Sequence, residues 1–248
     1  MGGNLENIQV VPFKRGKGPL VSVLLPTRGR VPGLLAAIDS LHSLSKFKSV
    51  EYLLKIDEDD KKTIATYESL KKIIPVQAII SPQGRGYRDF HLWINELCEL
   101  ASGDWLYMFN DDALMLCQDW DLMLMTMGFS SGATWHGVES VCMFITSTVQ
   151  RPESYEMGFV RRSVYKILGH YSLNPHCDNW MASIMCFLSS AFRIMPVQVS
   201  HPEDGDRQKL VEIYKETGDL LNTPIQQRLR LLDINKLIDH IEKEQGRK

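Results

Sequence analysis

Through the first half of the chain, short apolar runs rich in branched side chains alternate with stretches whose apolar residues recur at helical spacing. Leu20 to Leu25 (LVSVLL) stops at Pro26 and reads as a buried parallel strand. Val50 to Ile56 (VEYLLKI), Val76 to Ile80 and Trp105 to Phe109 (WLYMF) read as a second, third and fourth strand. Between them lie three helices. Pro32, at a tolerated first-turn position, opens PGLLAAIDSLHSL, and a second helix ends near residue 72. Asp89 to Ala101 carries Phe90, Trp93, Ile94, Leu97 and Leu100 at helical spacing and is ended by Gly103. Strand–helix repeated three times before a fourth strand predicts an α/β domain, with a parallel sheet covered by helices on both faces.

The second half is less regular. Thr134 to Val138 and Val141 to Thr146 read as strands, and Val164 to Leu168 as a short helix closed by Gly169. Asp178 to Ala191 reads as a buried helix with Asp178 as its N-cap. Arg193 to Ser200 reads as a strand followed by His201. The methionine-rich MLCQDWDLMLMTM reads as a packed helix. From Asp206 onward charge rises and helices dominate, with LRLLDINKLIDHIEK amphipathic.

Composition narrows the class. A chain of 248 residues is at the upper end of what one hydrophobic core supports. A formal net charge of −2 excludes a strongly basic footprint for nucleic-acid backbone. The five cysteines form no CxxC pair, so neither a zinc site nor a disulfide framework is expected. Reduced, mostly buried thiols in a cytoplasmic-type compartment are expected instead. No apolar run is long enough for a membrane span, and MGGNLENIQV lacks a signal-peptide core. Gly2 does not open a myristoylation signal, because Glu6 stands where Ser or Thr is required. A soluble or peripheral protein is expected.

The polar clusters PTRGR, DEDD and NDD each come directly after a strand, and in open α/β sheets ligands bind beyond the carboxyl ends of strands. Asp111 and Asp112 leave a buried strand together and suit a divalent cation. Arg28 and Arg30, beside Thr27, suit phosphate through paired donors. Arg85 and Arg88 flank Gly86 in SPQGRGYR. Of Glu58, Asp59 and Asp60, at most one is expected to have a role beyond solvation.

With these residues in view, the chain resembles the family 2-like GT-A glycosyltransferases. VSVLLPTRGR looks like their first strand and nucleotide loop, and KIDEDD like their second strand. GRGYRDFHLWINELCELASGDWLYMFNDD resembles the stretch from the diphosphate-side loop to the metal motif, with ASGDWLYMFNDD the nearest match. The likeness covers residues 19–112 well, is looser to 205 and is absent beyond. It implies a GT-A fold with a mostly parallel central sheet flanked by helices. In that division 1–18 is a lead-in and 19–205 the catalytic domain, comprising a nucleotide-binding half (19–112) and an acceptor half (113–205). Residues 206–248 form a helical C-terminal extension.

The resemblance also implies roles. Pro26, Thr27, Arg28 and Arg30 would cradle base and ribose, Asp57 would read the base, and Arg85 and Arg88 would meet base or diphosphate. Asp112 would bind the metal, and Asp111 the ribose or a metal-bound water. His201 would be the third metal ligand, with Asp204 and Asp206 as nearby alternatives. Imidazole favours Mn²⁺ over Mg²⁺. Asp178 would be the general base of an inverting transfer, with Glu203 and Asp204 as weaker candidates; a retaining enzyme needs no such base. Where the family often has Asp, this chain has Asn110, which leaves open which acid coordinates directly.

The implied function is metal-dependent transfer of a sugar from a UDP-, GDP- or dTDP-sugar to an acceptor hydroxyl. The acceptor (glycan, protein, lipid carrier or modified base), the sugar and the oligomeric state are not legible. Two other readings compete. A sugar nucleotidyltransferase would want a longer glycine-rich loop than PTRGR. A non-catalytic nucleotide- or sugar-binding module fits poorly with the acids of NDD, Asp178 and His201 all present.

Overall fold

The computed structural model describes residues 20–129, 140–149, 156–188, 192–201 and 207–246. The elements in chain order are β1 (Val21–Thr27), α1 (Val31–Ser43), β2 (Val50–Asp57), α2 (Lys61–Leu70), β3 (Val76–Ser81), α3 (Phe90–Leu100), β4 (Trp105–Met108), β5 (Leu114–Met115), α4 (Trp120–Phe129), β6 (Met143–Thr148), β7 (Gly158–Arg161), α5 (Arg162–Leu168), α6 (Cys177–Phe187), β8 (Phe192–Ser200), α7 (Arg207–Leu221) and α8 (Pro224–Glu244). A 3₁₀ turn, Gly86–Asp89, leads into α3.

The sheet order is β3-β2-β1-β4-β7-β6-β8-β5. The first four strands pair in parallel. β7 runs antiparallel to both β4 and β6, β8 lies parallel to β6, and β5 lies antiparallel to β8. The chain winds from β1 outward to β2 and β3, then returns to the other side of β1 to form β4. The reversal makes the carboxyl ends of β1 and β4 the switch point of the sheet, the place where open α/β sheets bind ligands.

The strands are apolar on both sides because both faces are covered. Val23, Leu25, Tyr52, Leu54 and Tyr107 point into one cluster with Leu34, Leu41, Trp120 and Leu124 from α1 and α4. Their alternates Leu24, Leu53, Leu106 and Met108 point into the other, with α3, α5, α6 and α8. The buried Glu51 carboxylate is paired: it accepts from Ser22 Oγ at 2.5 Å and from the Ser102 N–H at 2.7 Å, tying β1 and β2 to the turn before β4.

Two local expectations change, and one strand was not expected. Asp178 is not the N-cap of α6: that residue is His176, and Asp178 lies in the first turn. The methionine-rich segment divides, its start pairing as β5 and only the part from Trp120 forming α4. The short strand β7 had no periodic signal of its own. The expected strand Thr134 to Val138 lies outside the described residues. Gly169 closes α5 as expected, with φ of 82°.

The C-terminal helices join the core. Ile234, Leu237 and Ile241 of α8 are buried in the same cluster as α5 and α6. All five cysteines are free, with Cys98, Cys142 and Cys177 buried. Among the described residues no helix is long and apolar enough to cross a membrane.

Candidate active site

β1 ends in Thr27, and the chain turns through Arg28 and Gly29 (φ 69°) into α1. β4 ends two residues before Asn110, Asp111 and Asp112. Pairing of β1 with β4 therefore sets PTRGR beside NDD. Helix α1 seals the junction: a Cβ on Gly33 would come within 2.5 Å of the Asp111 carbonyl oxygen, so only glycine lets helix and loop approach this closely.

The side chains form a continuous chain of contacts. Thr27 Oγ1 donates to Asp111 Oδ2 at 2.7 Å. Arg30 Nη1 donates to Asp112 Oδ2 at 2.5 Å and stands 3.9 Å from Asp111 Oδ1. His201, at the end of β8, places Nε2 3.2 Å from Asp112 Oδ1 and Nδ1 3.1 Å from Glu156 Oε2. Asn110 Nδ2 lies 3.1 Å from the same Nε2. Strands distant in sequence thus bring Asp111, Asp112 and His201 together. Glu203, Asp204 and Asp206, the alternatives to His201 and Asp178, lie outside the described residues.

Burial and neighbours give these groups different acidities. Burial pushes the Asp111 carboxyl up to about 6, against the opposing Thr27 hydrogen bond and helped by the charge of Asp112. Burial acts the same way on Asp112, but His201 and Arg30 outweigh it and hold that carboxyl below the usual range. His201 is pushed up to about 9: burial opposes its charge, and hydrogen bonds to Asp112 and Glu156 prevail. Two acids adjacent in sequence are therefore driven apart by environment.

On the β2 side, Arg28 donates to Asp57 Oδ2 at 2.8 Å and makes paired bonds to Asp59 at 2.5 and 2.7 Å. Asp60 accepts from the Gly29 N–H at 2.6 Å and caps α2 through Thr63 N–H at 3.2 Å. Pro26 is the residue of β1 just before this loop. Asp59 and Asp60 thus both shape the loop, where at most one of these acids was expected to do more than meet solvent. For Asp60 the available signal was an aspartate just ahead of a helical stretch, the usual place of an N-cap.

Arg85 and Arg88 are not in this chain of contacts. Arg85 pairs with Asp89 at 2.6 Å, and Arg88 pairs with Glu216 of α7 at 2.6 Å. Asp178 is half-buried; burial raises its carboxyl, and the charge of nearby Glu156 adds to that. Glu156 thus pairs with His201 and acts on Asp178 through its charge. It lies in an irregular segment, and nothing in the sequence singled it out.

Asp112 and His201 offer two donor types that a divalent cation accepts. Ligand bonds of about 2.0–2.2 Å place neighbouring ligand atoms roughly 3 Å apart, and Asp112 Oδ1 and His201 Nε2 are 3.2 Å apart. With Nδ1 turned to Glu156, Nε2 is the nitrogen aimed at the carboxylates. Among the described residues no group of three His, Cys, Asp or Glu side chains is arranged to hold a metal ion, and Arg30 and His201 both stand directly against Asp112.

No protein-family model matches the chain, and no curated protein sequence matches it. Solved structures do. The mannosyltransferase PcManGT from Pyrobaculum calidifontis, solved with GDP-Man and Mn²⁺, superposes with a TM-score of 0.60 at 14% identity, over 80% of this chain and 61% of that one. S. aureus TarS 1–349 in complex with UDP superposes with a TM-score of 0.57 at 10% identity, over 90% of this chain and 72% of that one. The same protein in complex with UDP-GlcNAc gives 0.57 at 11% identity, over 88% and 72%. The chain spans about three-fifths of the length of the mannosyltransferase. Its strand order, with the crossover at β1 and β4, and these neighbours agree that the chain has the GT-A fold.

Proposed function

We propose that the protein transfers a sugar from a nucleoside-diphosphate sugar to an acceptor hydroxyl, with a divalent cation at the β1–β4 switch point. The observation that carries this reading is the convergence of Asp111, Asp112, His201 and Arg30 at the switch point of the sheet. The neighbours' GDP-Man, UDP and UDP-GlcNAc support the donor class.

A diphosphate leaving group departs with negative charge, and a bound divalent cation supplies the neutralisation. Asp112 and His201 Nε2 would hold the ion, giving up the proton they share, with Asp111 beside them. Arg30 would leave Asp112 and turn to phosphate, where a guanidinium offers paired donors. The imidazole in the set favours Mn²⁺ over Mg²⁺. Thr27, Arg28 and Asp57 line the base and ribose side, next to Pro26. Asp178 accepts the acceptor's hydroxyl proton; its raised acidity constant suits a base working near neutrality. Arg85 is exposed and paired within its own turn, which leaves its guanidinium able to turn toward the donor.

The test is a thermal-shift screen of UDP, GDP, CDP and dTDP, each with and without Mn²⁺. A nucleotide at about a hundredfold above its Kd stabilises by roughly 2.7 kcal/mol. A Mn²⁺-dependent shift with one diphosphate is expected. Absence of a shift with all four, on folded protein, counts against the donor site.

A further inference from the structure

His176 is the N-cap of α6, yet its side chain makes no bond to its own helix. Its backbone carbonyl accepts from Trp180 N–H at 2.8 Å, so the residue fixes where the helix starts. The ring is held instead by two other elements. Tyr87 of the 3₁₀ turn has its hydroxyl 3.2 Å from Nδ1. On α7, the Tyr214 carbonyl lies 3.2 Å and Thr217 Oγ1 2.9 Å from Nε2. Thr217 donates its own proton to the Ile213 carbonyl at 2.7 Å, leaving its oxygen to accept. Nε2 therefore carries the hydrogen, and Nδ1 accepts from the Tyr87 hydroxyl. One tautomer satisfies every partner.

The packing around this ring is close. Tyr87 meets His176 edge-on at 5.5 Å and Tyr214 at 4.6 Å between ring centres. A Cβ on Gly218 would lie 3.7 Å from Nε2. A second tie joins the same two elements, from Arg88 to Glu216. Three pieces far apart in sequence thus meet at one imidazole: the turn between Arg85 and Arg88, the start of the helix bearing Asp178, and the C-terminal helix α7.

We propose that His176 is a positioning residue, which couples the turn carrying Arg85 and Arg88 to the first turn of α6, with α7 as its backing. The inference rests on the donor reading above, and it gives α7 a role in the acceptor half. When nucleotide orders the turn, the Tyr87 hydroxyl transmits that order to His176 and so to Asp178. Coupling between two sites of this kind is carried by shared ordering.

The experiment is amide hydrogen exchange on the full chain, with and without UDP or GDP plus Mn²⁺, beside calorimetry of the same nucleotide. Tyr87→Phe removes only the hydroxyl and keeps the ring against Phe90 and Tyr214. In the parent protein, nucleotide is expected to slow exchange at Trp180 and Met181 by roughly tenfold, within the usual range of coupling. Tyr87→Phe is expected to bind the nucleotide within about twofold of the parent and to lose that slowing. A role in packing alone would leave the nucleotide response intact. Equal slowing in both proteins, or nucleotide binding with none in the parent, overturns the coupling while leaving the donor site standing. Failure of both nucleotides to bind appears in the calorimetry by itself; it removes the donor reading and the coupling with it.

Discussion

At the scale of single residues, the site is governed by which partner each acid meets. Asp111 and Asp112 are neighbours in sequence, but Thr27 and burial act on one while Arg30 and His201 act on the other. Asp112→Ala is expected to abolish the Mn²⁺-dependent thermal shift while leaving the fold intact, read by circular dichroism. Glu156→Gln tests the imidazole's orientation: an oriented histidine ligand typically loses about 10- to 100-fold in metal affinity without its outer partner. Calorimetry with Mn²⁺ alone reads this, and an unchanged affinity would remove Glu156 from the site. Asp178 gives a pH prediction. A base acts deprotonated, and its carboxyl is raised in the fold. The transfer rate should therefore climb with pH along a limb lying above the ordinary carboxylate value of about 4. Asp178→Asn should lose the limb and most of the rate; a rate that stays flat through that range in the parent protein would assign the base elsewhere.

At the scale of elements, close approach matters more than propensity. In a free helix Gly33→Ala would stabilise by roughly 1 kcal/mol. Here the added carbon would stand 2.5 Å from the Asp111 carbonyl oxygen, and overpacking of this kind typically costs about 1–3 kcal/mol. The variant is expected to melt lower and to bind Mn²⁺ more weakly, because the strain falls on the NDD loop. A higher melting temperature would mean that α1 can slide away without disturbing the site. The four parallel strands, α1 and α3 were legible because their apolar runs and helical spacing are long. β5 was not, since two residues set no period, and β7 was not, since its Gly158 and Arg161 leave only two apolar residues between them.

At the scale of the whole molecule, the C-terminal helices belong to the same core as the sheet. Leu237 is fully buried among residues of α5 and α6. Leu237→Ala is expected to cost about 2–5 kcal/mol, as buried leucine truncations do, read by urea denaturation in a single transition. Two separate transitions, with Leu237→Ala moving only one, would instead make the tail an independent unit. The amphipathic pattern of LRLLDINKLIDHIEK predicted a buried stripe. The surface that receives it is assembled from strands and helices far earlier in the chain, as between Lys236 and the Leu168 carbonyl, 3.2 Å apart across 68 residues.

The sequence by itself determined the alternation of strands and helices, the parallel first half and the acidic and basic clusters at strand ends. Those properties are local: they depend on period, on turn residues and on the polar groups at the end of each apolar run. Which clusters meet was decided only by tertiary structure. Strand order sets PTRGR beside NDD, and the return of β8 brings His201 to Asp112. Glu156 has no periodic neighbourhood to mark it, and His176 looks like an ordinary residue before a helix. What each touches lies dozens of residues away, and such partners are fixed by how the sheet and helices pack, which no single stretch of sequence encodes.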